Sequence, residues 1–200
     1  MQHTVSTGPL QGFTAAEQFG MFALRHEVFK VRLGWDVEVT EDGREIDQFD
    51  ADEQARYIIG KSPAEHIDAH WRLLPTLGPY MLRDVFPQLL HGQPAPAAAD
   101  VWELSRFAIA TDRLASSEDA GNHQIGFGTL SVALMQESVR FARSNGIARY
   151  VTVTTSAIER MLVRRGLNVH RVGPPIKIGR VLTVACFIEI DDTTATALGM

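Results

Sequence analysis

Apolar residues recur along this chain with two different rhythms. In AEQFGMFALRHEVFKVRLGW (16–35), Phe19, Phe22, Leu24, Val28, Phe29 and Val31 recur at helical spacing as a broad apolar stripe, and Gly34 is placed to end the helix. The polar run EVTEDGREIDQFDADEQ follows, with Asp42-Gly43 as a turn signal. ARYIIGK (55–61) and HIDAHWRLLPT (66–76) read as strands joined by the turn SPAE, which predicts a hairpin. GPYMLRDVFPQLL predicts a short helix interrupted at Pro87, HGQPAPAAAD a surface connection, and VWELSRFAI another strand.

Beyond a predicted loop over 110–124, the helical rhythm returns. GFGTLSVALMQESVRFARSNG predicts an amphipathic helix with Gly146 as its C-cap. Then come a strand (ARYVTVTT), a helix (SAIERMLVRRG), an extended segment turning at Pro174-Pro175, and a closing strand (VLTVACFIEI). An antiparallel first half followed by β-α-β-α-β predicts an α/β fold: a three-layer α/β/α sandwich around a mixed, mostly antiparallel sheet. No linker divides the chain, so one domain over residues 1–200 is expected.

The strand VWELSRFAIA (101–110) breaks its own pattern. Alternation puts Val101, Glu103, Ser105 and Phe107 on one side and Trp102, Leu104 and Arg106 on the other, so neither side is cleanly apolar. Charges in a core strand are costly unless partnered. A structural ion pair between Glu103 and Arg106 is one explanation and a working site is another.

Composition narrows the class. The 200 residues are 45% hydrophobic, enough for a substantial core. No apolar run approaches the roughly 20 residues that span a bilayer, and MQHTVSTGPLQGF lacks a signal peptide's basic and apolar regions. A soluble, cytoplasmic protein without a membrane partner is expected. Cys186 is the single cysteine, which excludes an intramolecular disulfide and disfavours a cysteine-based zinc site; in its apolar run it reads as a buried small hydrophobe. His66 and His70 lie four apart on a strand, where they do not converge as zinc ligands would on a helix. The formal net charge of -5 argues against general nucleic-acid binding. From Arg140 to Arg180, however, nine basic residues face one acid, Glu159. That segment is either a solvated face or a surface for an acidic partner.

Taken singly, the remaining polar residues stay ambiguous. Arg25 and Phe29 share a helix face, yet Arg25 fits a snorkelling surface residue and Phe29 a core residue. Asp47 and Asp50 fit an ordinary solvated pair. Together, Arg25-x3-Phe29-x5-Trp35, Asp47-x2-Asp50, Arg72 in HWRLL, Phe86 in LRDVFPQLL and Glu103-x-Ser105-Arg106 resemble the motif set of acyl-homoserine lactone synthases, the autoinducer synthases of bacterial quorum sensing. GWDVEV, VTVTT and RVGPP resemble the same family, and the likeness covers about residues 20 to 190.

The resemblance implies a fold similar to the GNAT N-acyltransferases, with central strands splayed into a V around an acyl-pantetheine arm. It implies acylation of the α-amine of S-adenosyl-L-methionine (SAM) from acyl carrier protein. Attack by the methionine carboxylate on its own γ-carbon then closes the lactone and expels methylthioadenosine. Glu103, with Ser105 and Arg106, would form the catalytic strand, with Glu103 as the base, its pKa raised by an apolar setting. Arg25, Phe29, Trp35, Asp47, Asp50, Arg72 and Phe86 would form the SAM pocket and its ion-pair network, the aromatic faces suiting a sulfonium or adenine. Met135, Thr152 and Thr154 match positions lining the acyl chain, and Arg160 and Arg164 match positions that dock the carrier protein. SAM is a substrate, and no cofactor or metal is expected. Gln124-Ile125-Gly126-Phe127-Gly128 comes one residue short of the GNAT phosphate-loop pattern Q/R-x-x-G-x-G/A, which favours a carrier-protein donor over coenzyme A. The competing readings are a GNAT-type acyltransferase using acyl-coenzyme A, and a non-catalytic sensor.

Overall fold

The computed structural model describes residues 3–115 and 128–200. Contacts gather the chain into two units, Met1–Arg72 with Arg106–Ser138, and Leu73–Ser105 with Val139–Met200.

In the first unit, β1 (Thr4–Gly8) pairs antiparallel with β2 (Arg56–Lys61), from Thr4↔Lys61 to Gly8↔Tyr57. The hydropathy pattern does not announce β1, because TVSTG carries a single large apolar residue and the strand is mostly open to solvent. Helix α1 (Ala15–Arg25) starts at a capping box in which Thr14 and Glu17 satisfy each other's backbone N–H groups. From His26 to Arg32 the helix widens into π-type turns, and Gly34, at φ +65°, ends it as expected.

That widening shifts the phase of the predicted stripe. Met21, Phe22, Leu24, Val28 and Phe29 are buried, whereas Val31 is 68% exposed. Phe19 is 46% exposed, its ring lying 5.6 Å from the Arg44 guanidinium. β3 (Ile67–Pro75) is buried along its whole length, including the alternate polar positions Asp68, His70 and Arg72. The predicted loop after residue 109 instead opens with a short helix, α3 (Thr111–Ala115).

In the second unit, α2 (Met81–Asp84) is followed by a single 3-10 turn that begins at Pro87, as the interrupted pattern predicted. Strand β4 (Val101–Ile109) starts in this unit and runs parallel to β5 (Arg149–Thr155) from Val101↔Arg149 to Leu104↔Thr152. The pairing stops there, while β5 keeps β8 (Val181–Glu189) as an antiparallel partner to Thr155↔Thr183. Thr152 Oγ1 donates to the Leu104 carbonyl at this last rung, 2.8 Å away. β6 (Val169–Arg171) and β7 (Ile176–Ile178) also pair with β8. Helix α4 (Thr129–Ser144) precedes β5, α5 (Ser156–Arg164) follows it, and α6 (Asp192–Ala197) closes the chain. The sequence reading assigned no element to these last residues.

The hydrogen-bonded order of strands is β1-β2-β3-β4-β5-β8-β6, with β7 on β8, so one parallel pair sits in a mostly antiparallel sheet. This is the mixed α/β arrangement the pattern predicted. Among the described residues no helix is long and apolar enough to cross a membrane.

In the first unit α4 reaches β2 through a glycine. A Cβ on Gly60 would lie 2.8 Å from Leu130 Cδ1 and 3.0 Å from Ala69 Cβ. Gly60→Val is therefore expected to destabilise the protein by about 1–3 kcal/mol through overpacking. Urea unfolding checks this: the midpoint should fall with the slope unchanged, and an unmoved midpoint would show that Leu130 can swing clear.

Candidate functional site

The anomaly of β4 resolves at the backbone. Arg106 has φ +57°, the left-handed region, inside an extended strand. For a residue with a Cβ this costs roughly 1–2 kcal/mol, and it interrupts strand alternation as a bulge does. The turned backbone sends the Arg106 guanidinium into an acidic cluster. Nε donates to Glu45 Oε1 at 3.1 Å, and Nη2 lies 2.8 Å from Asp47 Oδ2. The Arg106 carbonyl accepts from His70 Nδ1 at 3.0 Å.

Two further guanidiniums meet the same acids. Arg25, from the end of α1, binds Glu45 through Nε and donates from Nη1 to Asp50 at 2.8 Å. Arg72, from β3, donates to both Asp47 and Asp50, with Nη2 3.0 Å from Asp47 Oδ2. Tyr57 adds its hydroxyl to Asp50 at 3.0 Å. Three guanidiniums thus face three carboxylates, and Arg25, Arg72 and Glu45 are wholly buried. Such a cluster survives in a low-dielectric interior only if the partners offset their desolvation.

Asp50 shows the balance. Burial tends to raise its pKa, but Arg25 and Arg72 outweigh that and hold its carboxyl well below the usual carboxylate range. Burial pulls the Arg106 guanidinium down from its usual value, and Glu45 and Asp47 oppose the shift. Asp47 and Asp50 also close a capping box around the turn Gln48–Ala51, so the loop that presents them is fixed by the same carboxylates.

Aromatic rings surround the guanidiniums. Arg72 lies 5.5 Å from the Phe49 ring and Arg106 5.5 Å from that of Phe29. Phe29 stacks on Trp35 with centroids 5.0 Å apart, and Trp35 is 46% exposed. Arg25 Nη2 is buried without a hydrogen-bond partner, its approach to Asp47 Oδ2 being 3.7 Å.

The structure therefore brings Arg25, Phe29, Trp35, Asp47, Asp50, Arg72 and Arg106 together, and it excludes the snorkelling reading of Arg25 and the solvated reading of Asp50. Sequence reasoning missed Glu45, His70 and Tyr57. Glu45 stood in a polar run with nothing to separate it from its neighbours. Its burial follows from tertiary contacts, a bridge to Val39 and a backbone N–H donated to the Phe22 carbonyl.

In the second unit Glu103 is wholly buried, and its two oxygens accept from Leu82 N at 2.7 Å and Met81 N at 2.8 Å. These N–H groups open α2, whose N-cap Tyr80 supplies no side-chain cap. The carboxylate thus satisfies donors that the helix leaves open. Burial, then the Glu103 charge, pushes the Tyr80 hydroxyl up to about 12.

The other expected positions are more scattered. Ser105 and Phe86 are half-buried, Phe86 preceding the turn that begins at Pro87. Thr152 is buried, but its proton goes to Leu104 O; Thr154 is half-buried beside Val184. Met135 is buried on α4 in the first unit. Arg160 and Arg164 are exposed one turn apart on α5, whereas Arg171 pairs with Glu159 at 2.7 Å. His66 is exposed and His70 buried, so the two do not face one another as ligands. Cys186 is buried, which pushes its thiol up to about 12. Residues 124–127 of the expected phosphate loop lie outside the described residues.

Comparison with known proteins agrees with the motif set. Residues 13–198 match the family model described as autoinducer synthase. An acyl-homoserine-lactone synthase of Pseudomonas aeruginosa is 42% identical over 179 residues, 89% of this chain and 85% of the relative. The crystal structure of the synthase LasI is 39% identical and superposes with TM-score 0.85, covering 98% of this chain and 94% of that one. BjaI, a coenzyme A-dependent acyl-homoserine lactone synthase solved with SAM and isopentyl-CoA, is 25% identical with TM-score 0.83, covering 98% and 87%. An acyl-CoA N-acyltransferase from Pseudomonas aeruginosa, 15% identical with TM-score 0.63 over 93% and 99%, shares the fold alone and bears out the GNAT-like class. With the family model matching nearly its full length and a 42% identical relative matching 89% of it, the chain belongs to the autoinducer synthase family.

Proposed function

We propose that this acyltransferase binds SAM at the Arg25–Arg72–Arg106 cluster. It acylates the α-amine of SAM from an acylated carrier protein and releases an N-acyl-L-homoserine lactone with methylthioadenosine. The observation that carries the reading is the convergence of Arg25, Glu45, Asp47, Asp50, Arg72 and Arg106, from four separate segments, into one charge-balanced set beside a half-exposed tryptophan.

The chemistry follows from what each group can offer. Arg25 Nη2, which makes no hydrogen bond, suits the methionine carboxylate, and the Trp35–Phe29 stack suits a sulfonium or adenine face. The ammonium must lose a proton before its nitrogen attacks the thioester. Glu103 is the base in this reading. Two backbone donors orient its carboxylate, and its task is to take the ammonium proton, directly or through a water. Lactone closure is intramolecular with a sulfide leaving group, so holding the methionine chain folded supplies much of that step. Ser105 and Phe86 belong to the same reading by resemblance. Thr154, Thr152 and Met135 line the acyl chain in it, with Thr152 limited to accepting.

Exposed Arg160 and Arg164 support an acidic carrier protein as donor. Acyl-coenzyme A is the second reading, favoured by the likeness to a coenzyme A-dependent synthase. Mass spectrometry of pure protein with SAM and matched acyl-carrier-protein and acyl-coenzyme A thioesters tests both. Lactone formed in step with methylthioadenosine is expected, faster from the carrier protein, and intact SAM with every donor overturns the reaction.

Glu103→Gln is expected to lower kcat by about 100-fold or more, as for loss of a general base, with KM for SAM little changed. A comparable loss in KM instead would make Glu103 a binding residue. Reversing both charges, Arg160→Glu with Arg164→Glu, should raise KM for the carrier-protein donor about tenfold, equivalent to about 1.4 kcal/mol, and leave an acyl-pantetheine mimic unaffected. Equal loss with both donors would sink the docking role.

A further inference from the structure

His70 is a buried titratable group that the reaction above leaves without a task. It sits on β3, wholly buried, at the strand position between Asp68 and Arg72 on the face that alternation gives all three. Its Nδ1 lies 3.0 Å from the Arg106 carbonyl oxygen, and its Nε2 has no hydrogen-bond partner. A carbonyl only accepts, so Nδ1 carries the proton. Nε2 is then a bare lone pair if the ring is neutral. Burial and the Arg25 charge push the imidazole down to about 3, so the ring is neutral at working pH.

The carbonyl concerned belongs to the left-handed residue of β4. Backbone in that conformation departs from regular strand geometry and persists only where its surroundings hold it. His70 donates to the carbonyl of that residue, whose guanidinium meets Glu45 and Asp47. An apolar residue at position 70 would fill the space with no buried polar atom left unsatisfied on the side chain. The chain instead accepts an orphaned Nε2, a cost that makes sense only if the Nδ1 contact is needed.

We infer that His70 is a positioning residue: its Nδ1–H holds the carbonyl of the left-handed Arg106, and thereby keeps the Arg106 guanidinium in the cluster. Its effect on catalysis rests on the reading above, that this cluster binds SAM.

Two variants separate this role from packing. His70→Asn keeps an N–H donor on the atom that Nδ1 occupies, whereas His70→Leu keeps bulk and loses the donor. With His70→Leu, KM for SAM should rise at least tenfold while KM for the acyl donor stays within twofold; His70→Asn should keep KM for SAM within about threefold of the parent. If both variants fail alike, or both KM values rise together, His70 is only a packing residue and the inference falls.

Two NMR readouts do not depend on the reaction. The long-range 1H–15N spectrum of the parent should show His70 with Nδ1 protonated and Nε2 bare; an Nε2-protonated or charged ring overturns the inference outright. The Arg106 Nε proton should exchange slowly in the parent and in His70→Asn, and lose that protection in His70→Leu. Retained protection in His70→Leu also overturns it. Should the parent neither bind nor consume SAM, the functional reading fails alone, and these spectra still decide what His70 holds.

Discussion

Six charges taken out of water in one place constrain the first unit more than any other feature. Arg25, Arg72 and Glu45 have no solvent to fall back on, so each depends on its partners. Removing one member of a buried pair typically costs about 3–5 kcal/mol, a large part of the 5–15 kcal/mol that holds a domain folded. The cluster draws on the end of α1, the turn around Gln48–Ala51, β3 and β4. Those four segments are therefore tied by ionic hydrogen bonds where apolar packing alone would leave them adjustable. A site whose polar atoms are locked in advance needs little rearrangement when a charged ligand arrives.

The second constraint is the strand that carries both kinds of polar residue. Glu103 lies where β4 is still regular and paired to β5, and its carboxylate closes the open end of α2. Three residues on, Arg106 departs from strand geometry. The regular stretch fixes a carboxylate by backbone donors, and the irregular residue aims a guanidinium that simple alternation would send elsewhere. Backbone strain at such a point persists because the surroundings over-determine it, here through Glu45, Asp47 and His70.

The outer surface of the second unit obeys weaker rules. Glu159 is buried and holds Arg171, which leaves Arg160 and Arg164 as the exposed charges on that helix. Exposed charges contribute little to stability but strongly bias which partner approaches. Thr152 illustrates the opposite limit. Its hydroxyl proton is committed to the end of the β4–β5 ladder, so a residue that looks like a ligand donor is engaged by its own backbone.

Periodicity made most of the fold legible. Strands β2 to β5 and β8, the interrupted helix at Pro87 and helices α4 and α5 follow from alternation, helical spacing and turn residues, because each is a local consequence of burying one face. β1 escaped because an edge strand need not be apolar, and the stripe of the first helix slipped because π-type turns change the angle between successive residues. The motif residues were readable through their resemblance to a family, but their partners were not. Which carboxylate meets which guanidinium, the recruitment of Glu45 and His70, and the left-handed Arg106 all join residues tens of positions apart. By itself the sequence determined most of the segments that would be strands and helices and which residue types were available for chemistry. Only the tertiary structure decided which charges are buried and how they are neutralised, since desolvation and pairing depend on three-dimensional neighbours that no local pattern encodes.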